Sequence, residues 1–156
     1  FSIYLLKAMS KQSVEKGIMP IKIRVMLFGT FDGLHKGHLD FFKQAHKLAT
    51  NAFLIVSIAR DKNVFKIKGA YPRHSEKERL KFVKNSGLAD KVVLGGIRAH
   101  LPHIRKERPD IIALGYDQHA YVENLKTELK DLNVKIVRLK PYKPHIYKNH
   151  LLKSLS

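Results

Sequence analysis

The stretch Ile21 to His38 reads IKIRVMLFGTFDGLHKGH. Ile21 to Phe28 is short, mostly apolar and rich in β-branched residues, which is the pattern of a strand. Gly29 stops it. From Lys36 to Thr50 the apolar positions Leu39, Phe42, Ala45, Leu48 and Ala49 fall at helical spacing. A strand, a glycine turn and a helix start therefore follow one another without a gap, which is the opening of a βα unit.

The remaining chain repeats this alternation. Phe53 to Ala59 is a nearly continuous apolar run, as expected of a strand covered on both faces. Arg60 to His74 is basic and predicted to be irregular, with Gly69 and Pro72 as breakers. Ser75 with Glu78 forms a capping box for a helix carrying Leu80 and Val83 and ending at Gly87. Lys91 to Leu94 is a third strand, closed by Gly95 and Gly96. Arg98 to Glu107 is read as a helix ended by Pro109, despite Pro102 near its start. Asp110 to Leu114 is a fourth strand, stopped at Gly115. Tyr121 to Leu132 is predicted helical, Val134 to Leu139 a fifth strand, and Tyr147 to Leu155 a last helix. The expected class is α/β, a single doubly wound five-stranded parallel sheet over residues 21–156. Ligands in such sheets bind beyond the carboxyl ends of the strands, at the switch point. The informative loops are therefore Gly29–His38, Arg60–His74 and Gly115–His119.

Residues 1–20 read as an N-terminal extension. Phe1 to Leu6 is an apolar stub, short for a signal-peptide core. Met9 to Ser13 (MSKQS) resembles the KMSKS loop of class I aminoacyl-tRNA synthetases. It precedes the nucleotide-binding core instead of following it, so it is read as part of a polar helical extension.

Composition narrows the partners. The chain has 156 residues, with 30 Lys and Arg against 13 Asp and Glu, a net charge of +17. The absence of cysteine excludes a disulfide scaffold, a thiol nucleophile and a Cys-ligated metal, and points to an intracellular, cytoplasmic protein. No apolar run approaches the ~18 residues a membrane helix needs. The charge implies an anionic partner without naming it.

The loop after the first strand, Gly29-Thr30-Phe31-Asp32-Gly33-Leu34-His35-Lys36-Gly37-His38, supplies chemistry for an anion. Gly29 and Gly33 allow close approach of a ligand to the backbone. Free N–H groups at the helix start favour phosphate. His35 and His38 are three apart with only Gly37 and Lys36 between, so both imidazoles can face one point at the helix entrance. Metal ligation and plain surface histidines are the competing readings; no third ligand lies nearby in sequence. The stretch is neither a Walker A loop nor a GxGxxG turn.

GTFDGLHKGH resembles the signature of the HxGH nucleotidyltransferase superfamily, GTFDxxHxGH, and within it the chain is most similar to archaeal FAD synthases, which are FMN adenylyltransferases. The resemblance continues in ARDKNVFKIKG (Ala59–Gly69), EKERLKFV (Glu76–Val83) and PDIIALGYDQH (Pro109–His119), and covers roughly Lys22 to Leu155. It implies the HxGH nucleotidyltransferase fold, which is Rossmann-like, and attack by an acceptor phosphate on the α-phosphorus of a nucleoside triphosphate with release of pyrophosphate. His35 and His38 would hydrogen-bond the triphosphate. Gly29, Thr30, Phe31 and Gly37 would line it, and Asp32 would help to place the acceptor. Lys66 and Lys68 would act on the phosphates and the acceptor; at alternate positions of a loop, the two can meet one phosphate from the same side. Arg79 would reach a phosphate. Gly115, Tyr116, Asp117 and Gln118 would contact base and ribose.

Near the C-terminus the family often has a Ser/Thr pair that binds phosphates. Here Asn149 and His150 stand in its place beside Lys148, and all three can still donate hydrogen bonds. Mg²⁺ or another divalent cation is expected with the triphosphate. The resemblance also implies a homodimer using ATP or CTP. ATP with FMN is the first expectation; glycerol-3-phosphate cytidylyltransferase and a sugar-phosphate adenylyltransferase of lipopolysaccharide-core type are the alternatives. From other classes, the altered C-terminal motif suggests a catalytically lost nucleotide-binding domain, and the charge of +17 a nucleic-acid-binding module. The latter is not favoured, because no helix-turn-helix, zinc finger, RRM or KH signature is present, and no membrane contact is expected.

Overall fold

The alternation of strands and helices closes into one parallel sheet. The computed structural model describes residues 21–96, 100–119 and 124–142. Its elements are β1 (Ile23–Gly29), α1 (Lys36–His46), β2 (Ala52–Ile58), α2 (Asp61–Lys68), α3 (Glu76–Ser86), β3 (Lys91–Leu94), α4 (His100–Glu107), β4 (Ile111–Leu114), α5 (Leu125–Glu128), a 3-10 turn at Lys130–Leu132, and β5 (Lys135–Arg138). The strand order is β3-β2-β1-β4-β5, with every pair parallel. β1 is central: it pairs with β2 from Ile23↔Ala52 to Gly29↔Ile58 and with β4 from Val25↔Ile111 to Leu27↔Ala113. The chain winds outward from β1 to β3, then returns to the other side of β1. This puts the switch point between β1 and β4, so the loops leaving their carboxyl ends are neighbours.

Side-chain alternation divides the core into two layers. Val25 and Leu27 of β1 join Phe42 and Ala45 of α1 and Val83 of α3 on one face. Met26 joins Ile104 of α4 and Leu125 and Leu129 on the other. All four residues of β4 are buried, which is why a strand this short still reads as an uninterrupted apolar run. At the amino ends of the strands, buried Glu107 accepts from Lys91 Nζ at 2.8 Å and from Arg24 Nη2 at 3.3 Å, so the charge inside the fold is paired.

Local details refine these expectations. Arg60–His74 is not irregular throughout, because Asp61–Lys68 forms a helix. Gly69, expected as a breaker within a loop, is the left-handed cap (φ 75°) whose N–H closes that helix on Phe65 O at 2.7 Å. Pro102 falls in the first turn of α4, where its missing N–H removes no helical bond. The helix expected over Tyr121–Leu132 is described only as α5 and the 3-10 turn, which Asn133 ends at φ 54°. The N-terminal extension 1–20, the helix expected over Tyr147–Leu155, and Lys148, Asn149 and His150 lie outside the described residues.

Candidate active site

The loop after β1 is built around Phe31. This residue adopts φ 52°, in the left-handed region, and turns its ring into the core. The ring packs edge-on to His38 with centroids 5.2 Å apart and lies 5.3 Å from Phe42. It also covers Gly29, where a Cβ atom would sit 2.6 Å from two ring carbons. Gly29 is therefore required by packing against the loop's own side chain. The aromatic anchor holds Thr30, Asp32, His35 and His38 around the carboxyl end of the central strand.

The histidine pair is fixed by the helix it starts. His35 is the N-cap of α1, and its Nδ1 accepts from Gly37 N–H at 3.0 Å and His38 N–H at 3.3 Å. His38 Nδ1 in turn accepts from His35 N–H at 3.4 Å, so two imidazoles form a reciprocal capping box. With Nδ1 accepting on both rings, the proton of each neutral imidazole sits on Nε2. The rings stack at 3.7 Å with 21° between planes. Two cations cannot share that spacing cheaply. Burial, followed by the positive charge of His35, holds the His38 pKa down at about 4, against a backbone hydrogen bond with Gly33 that favours protonation. The N–H groups of Gly37 and His38, expected to be available for phosphate, are taken up by the His35 ring in this state. The donors that the pair can offer a ligand are on the imidazoles.

Behind the loop sits Arg79. The sequence reading sends it to a phosphate, but its side chain is 0% exposed. Side chains in the first turns of a helix lean back toward its N-terminus. The guanidinium accordingly donates to His74 O at 3.1 Å, Thr30 O at 2.7 Å, Ala59 O at 2.8 Å and Asp61 Oδ1 at 2.6 Å. It binds the ends of β1 and β2, the start of α2 and the start of α3 into one unit. Glu76 extends the network by accepting from Arg60 Nη1 at 2.8 Å and Asp61 N–H at 3.1 Å.

Asp32, expected to help to place the acceptor, is engaged by the chain itself. Its two carboxylate oxygens accept from Arg73 N–H at 2.6 Å, His74 N–H at 2.9 Å and His74 Nδ1 at 2.9 Å. Burial alone would raise its pKa, but these hydrogen bonds outweigh that and hold it below the ordinary carboxylate value. Lys66 and Lys68 do not share a side, because both lie in α2 and two helical steps turn a side chain by about 200°. Lys68 Nζ reaches Thr30 Oγ1 at 3.4 Å; Lys66 is exposed on another side of the helix.

The second loop, after β4, closes on itself. Gln118 Oε1 accepts from Gly115 N–H at 2.9 Å, and its Nε2 donates to Phe28 O at 2.6 Å. Its amide stitches the end of β4 to the end of β1 and is not turned to a base. Asp117 is exposed, and burial followed by the Asp117 charge raises the Tyr116 pKa. Arg138, which the sequence reading passed over, organises this loop: its Nη1 donates to Gly115 O at 2.8 Å, Gln118 O at 2.9 Å and Tyr116 O at 3.4 Å. Its signal was positional, a cation closing β5 on the switch-point side of the sheet. Ser57, buried at the end of β2, is another omission; its Oγ lies 2.8 Å from His103 Nε2.

The arrangement is thus a basic, imidazole-bearing loop beside a backbone-walled loop at the switch point. It can hold an anionic phosphate chain and stabilise charge that develops on it. Among the described residues, no group of three or more His, Asp or Glu could hold a metal ion, and no helix is long and apolar enough to cross a membrane.

Comparison with known proteins agrees with this geometry. The chain is 47% identical to the FAD synthase of Korarchaeum cryptofilum over 74% of its own length and 80% of that protein. It is 41% identical to the FAD synthase of Thermococcus sibiricus over 85% of this chain and 88% of that one. Among solved structures it superposes on the lipopolysaccharide core biosynthesis protein of Thermoplasma volcanium with a TM-score of 0.70 and 36% identity, covering 77% of this chain and 98% of that one. The pattern of the cytidylyltransferase-like family matches residues 26–152, and with the β1 loop, the stacked histidines and the 3-2-1-4-5 sheet, the chain belongs to that family.

Proposed function

We propose that the chain is an FMN adenylyltransferase that makes FAD from ATP and FMN. A phosphate oxygen of FMN attacks the α-phosphorus of ATP. The bond from that phosphorus to the bridging oxygen of the β-phosphate breaks, and pyrophosphate leaves. The observation that carries nucleotidyl transfer is the His35–His38 stack at the end of β1, with Nδ1 of each ring bound to backbone. The FAD synthases of 40–47% identity support the choice of acceptor.

In this reading His35 and His38 donate from Nε2 to the triphosphate as its charge shifts toward the leaving group. His38 is neutral at pH 7, and so acts as a hydrogen-bond donor and not as a fixed cation. Lys68 adds charge beside Thr30. Gly115, Tyr116 and Asp117 face the nucleoside, with Gln118 and Arg138 shaping their loop. Lys148, Asn149 and His150 are assigned to the phosphates on the family resemblance of their sequence alone. Mg²⁺ would accompany the nucleotide as part of the substrate and would neutralise triphosphate charge during transfer. The enzyme works in the cytoplasm as a homodimer.

A second reading has one observation in its favour, the likeness to a protein named for lipopolysaccharide core biosynthesis. It keeps ATP and replaces FMN by a sugar phosphate. Incubating the purified chain with Mg²⁺, ATP or CTP, and either FMN, glycerol 3-phosphate or a sugar phosphate separates them. FAD and pyrophosphate formed in equal amounts from ATP and FMN are expected. Turnover with a sugar phosphate and none with FMN would reverse the choice.

A further inference from the structure

Two large aromatic side chains stand on the surface without a core to pack in. Phe65 is 45% exposed and Tyr71 is 64% exposed, yet their rings stack on each other with centroids 4.7 Å apart and 28° between planes. Surface aromatics of this size are unfavourable in water unless something covers them. Their position is specific. Phe65 precedes Lys68 by three residues on α2, so the two share a side of the helix, and Lys68 Nζ touches Thr30 Oγ1 at 3.4 Å. Tyr71 precedes Arg73 by two residues, and Arg73 N–H is held by Asp32 at 2.6 Å. The stacked pair is therefore bracketed in the chain by two attachments to the histidine loop, at Lys68 and at Arg73, both of which are exposed cations.

An aromatic surface whose neighbours in the chain are cations reaching the histidine loop fits a ligand that is a planar ring at one end and a phosphate at the other. We infer that Phe65 and Tyr71 form the platform on which the acceptor's ring system stacks, while its phosphate points past Lys68 toward Thr30 and the histidines. This inference rests on the proposed function and names the part of the surface that selects a flavin phosphate over a sugar phosphate. A third ring extends the existing stack, and offset stacking adds attraction beyond area burial. A sugar has no π-face to offer it.

The test uses the full chain and FMN itself. A tyrosine stacked on a flavin quenches its fluorescence, so binding of FMN to the unaltered chain should dim its emission. In Phe65→Leu/Tyr71→Leu the quenching should disappear and KM for FMN should rise about tenfold, while KM for ATP changes less than about twofold. Tyr71→Phe should restore the low KM. Ile67→Ala serves as the control, because Ile67 is 52% exposed but turned about 200° from Phe65 on the same helix. An unaltered KM for FMN in the double variant overturns the platform while leaving the FAD synthase reading in place. A rise in KM for ATP alone reassigns the aromatics to the nucleotide base and also overturns it. Loss of a dimer in sedimentation, with flavin binding intact, shows that the pair covers a second copy of the chain. No FAD from the unaltered chain removes the function, and the platform with it.

Discussion

Two arginines hold the two loops of the switch point, and they do so in opposite surroundings. Arg79 is sealed behind the β1 loop and donates to three carbonyls and one carboxylate belonging to four segments of chain. Arg138 is exposed beside the β4 loop and donates to three carbonyls of one turn. The number of bonds is similar, but the alternative partner differs. Water can replace Arg138. The Arg79 guanidinium is fully buried and its partner Asp61 is part-exposed, so the same kind of clamp acts on folding in one case and on loop shape in the other.

The largest effect should come from breaking the buried clamp. Arg79→Met leaves Asp61 and the Thr30, Ala59 and His74 carbonyls without their donor. It should destabilise the chain by about 3–5 kcal/mol, read as a lowered urea midpoint, with loss of activity alongside. A loss under about 1 kcal/mol would show that water does enter that site.

The next effect separates the chemistry from the clamp. His38→Ala keeps Arg79 and the sheet intact, and should lower kcat by about 10²–10³ while lowering the urea midpoint much less than Arg79→Met does, since half a capping box and one ring's packing are lost. The same residue carries a pH signature. Its pKa is about 4 in the folded chain against an ordinary 6.5, so between those values the unfolded chain binds the extra proton. Its contribution to stability is complete above pH 6.5 and is lost as pH falls toward 4. Urea unfolding at pH 4.5 and 7 should show a larger acid loss in the unaltered chain than in His38→Ala.

The smallest effect should come from the exposed clamp. Arg138→Met should cost less than about 1 kcal/mol of stability, since water replaces the lost donors. It should raise KM for ATP by about fivefold with kcat nearly kept, because the loop it shapes would bind the nucleoside in reactant and transition state alike. If Arg138→Met destabilises as strongly as Arg79→Met, the distinction between the clamps is wrong.

Much of the sheet was legible in the chain. The apolar runs that form β1, β2 and β4 and the Ser75–Glu78 capping box are local patterns, and the structure has each within a residue or two of its expected place. The switch point followed from strand order alone. What could not be read depends on where a side chain ends up. Arg79 sits among Glu76, Lys77, Glu78 and Lys81 in a helix with the composition of a solvated face, and nothing local marks it as buried. α2 was hidden because its Lys and Asn residues bury only Val64 and give no apolar stripe. Arg138 and Gln118 act on backbone carbonyls and amides, which leave no trace in residue types. The partners of Asp32 within the chain could not be read either, because Arg73 and His74 are 41 and 42 residues away.

The contact between Phe31 and Gly29 bears on how this loop can drift. Not even a methyl group fits at position 29 while the Phe31 ring lies over it. Shrinking Phe31 first would open that space, but it would also remove the edge against which His38 packs and empty a place beside Phe42. A single change at either position therefore costs the loop something that a change at the other would have to accompany. Gly29, Phe31 and His38 are in this sense one packing unit, to be exchanged together or not at all.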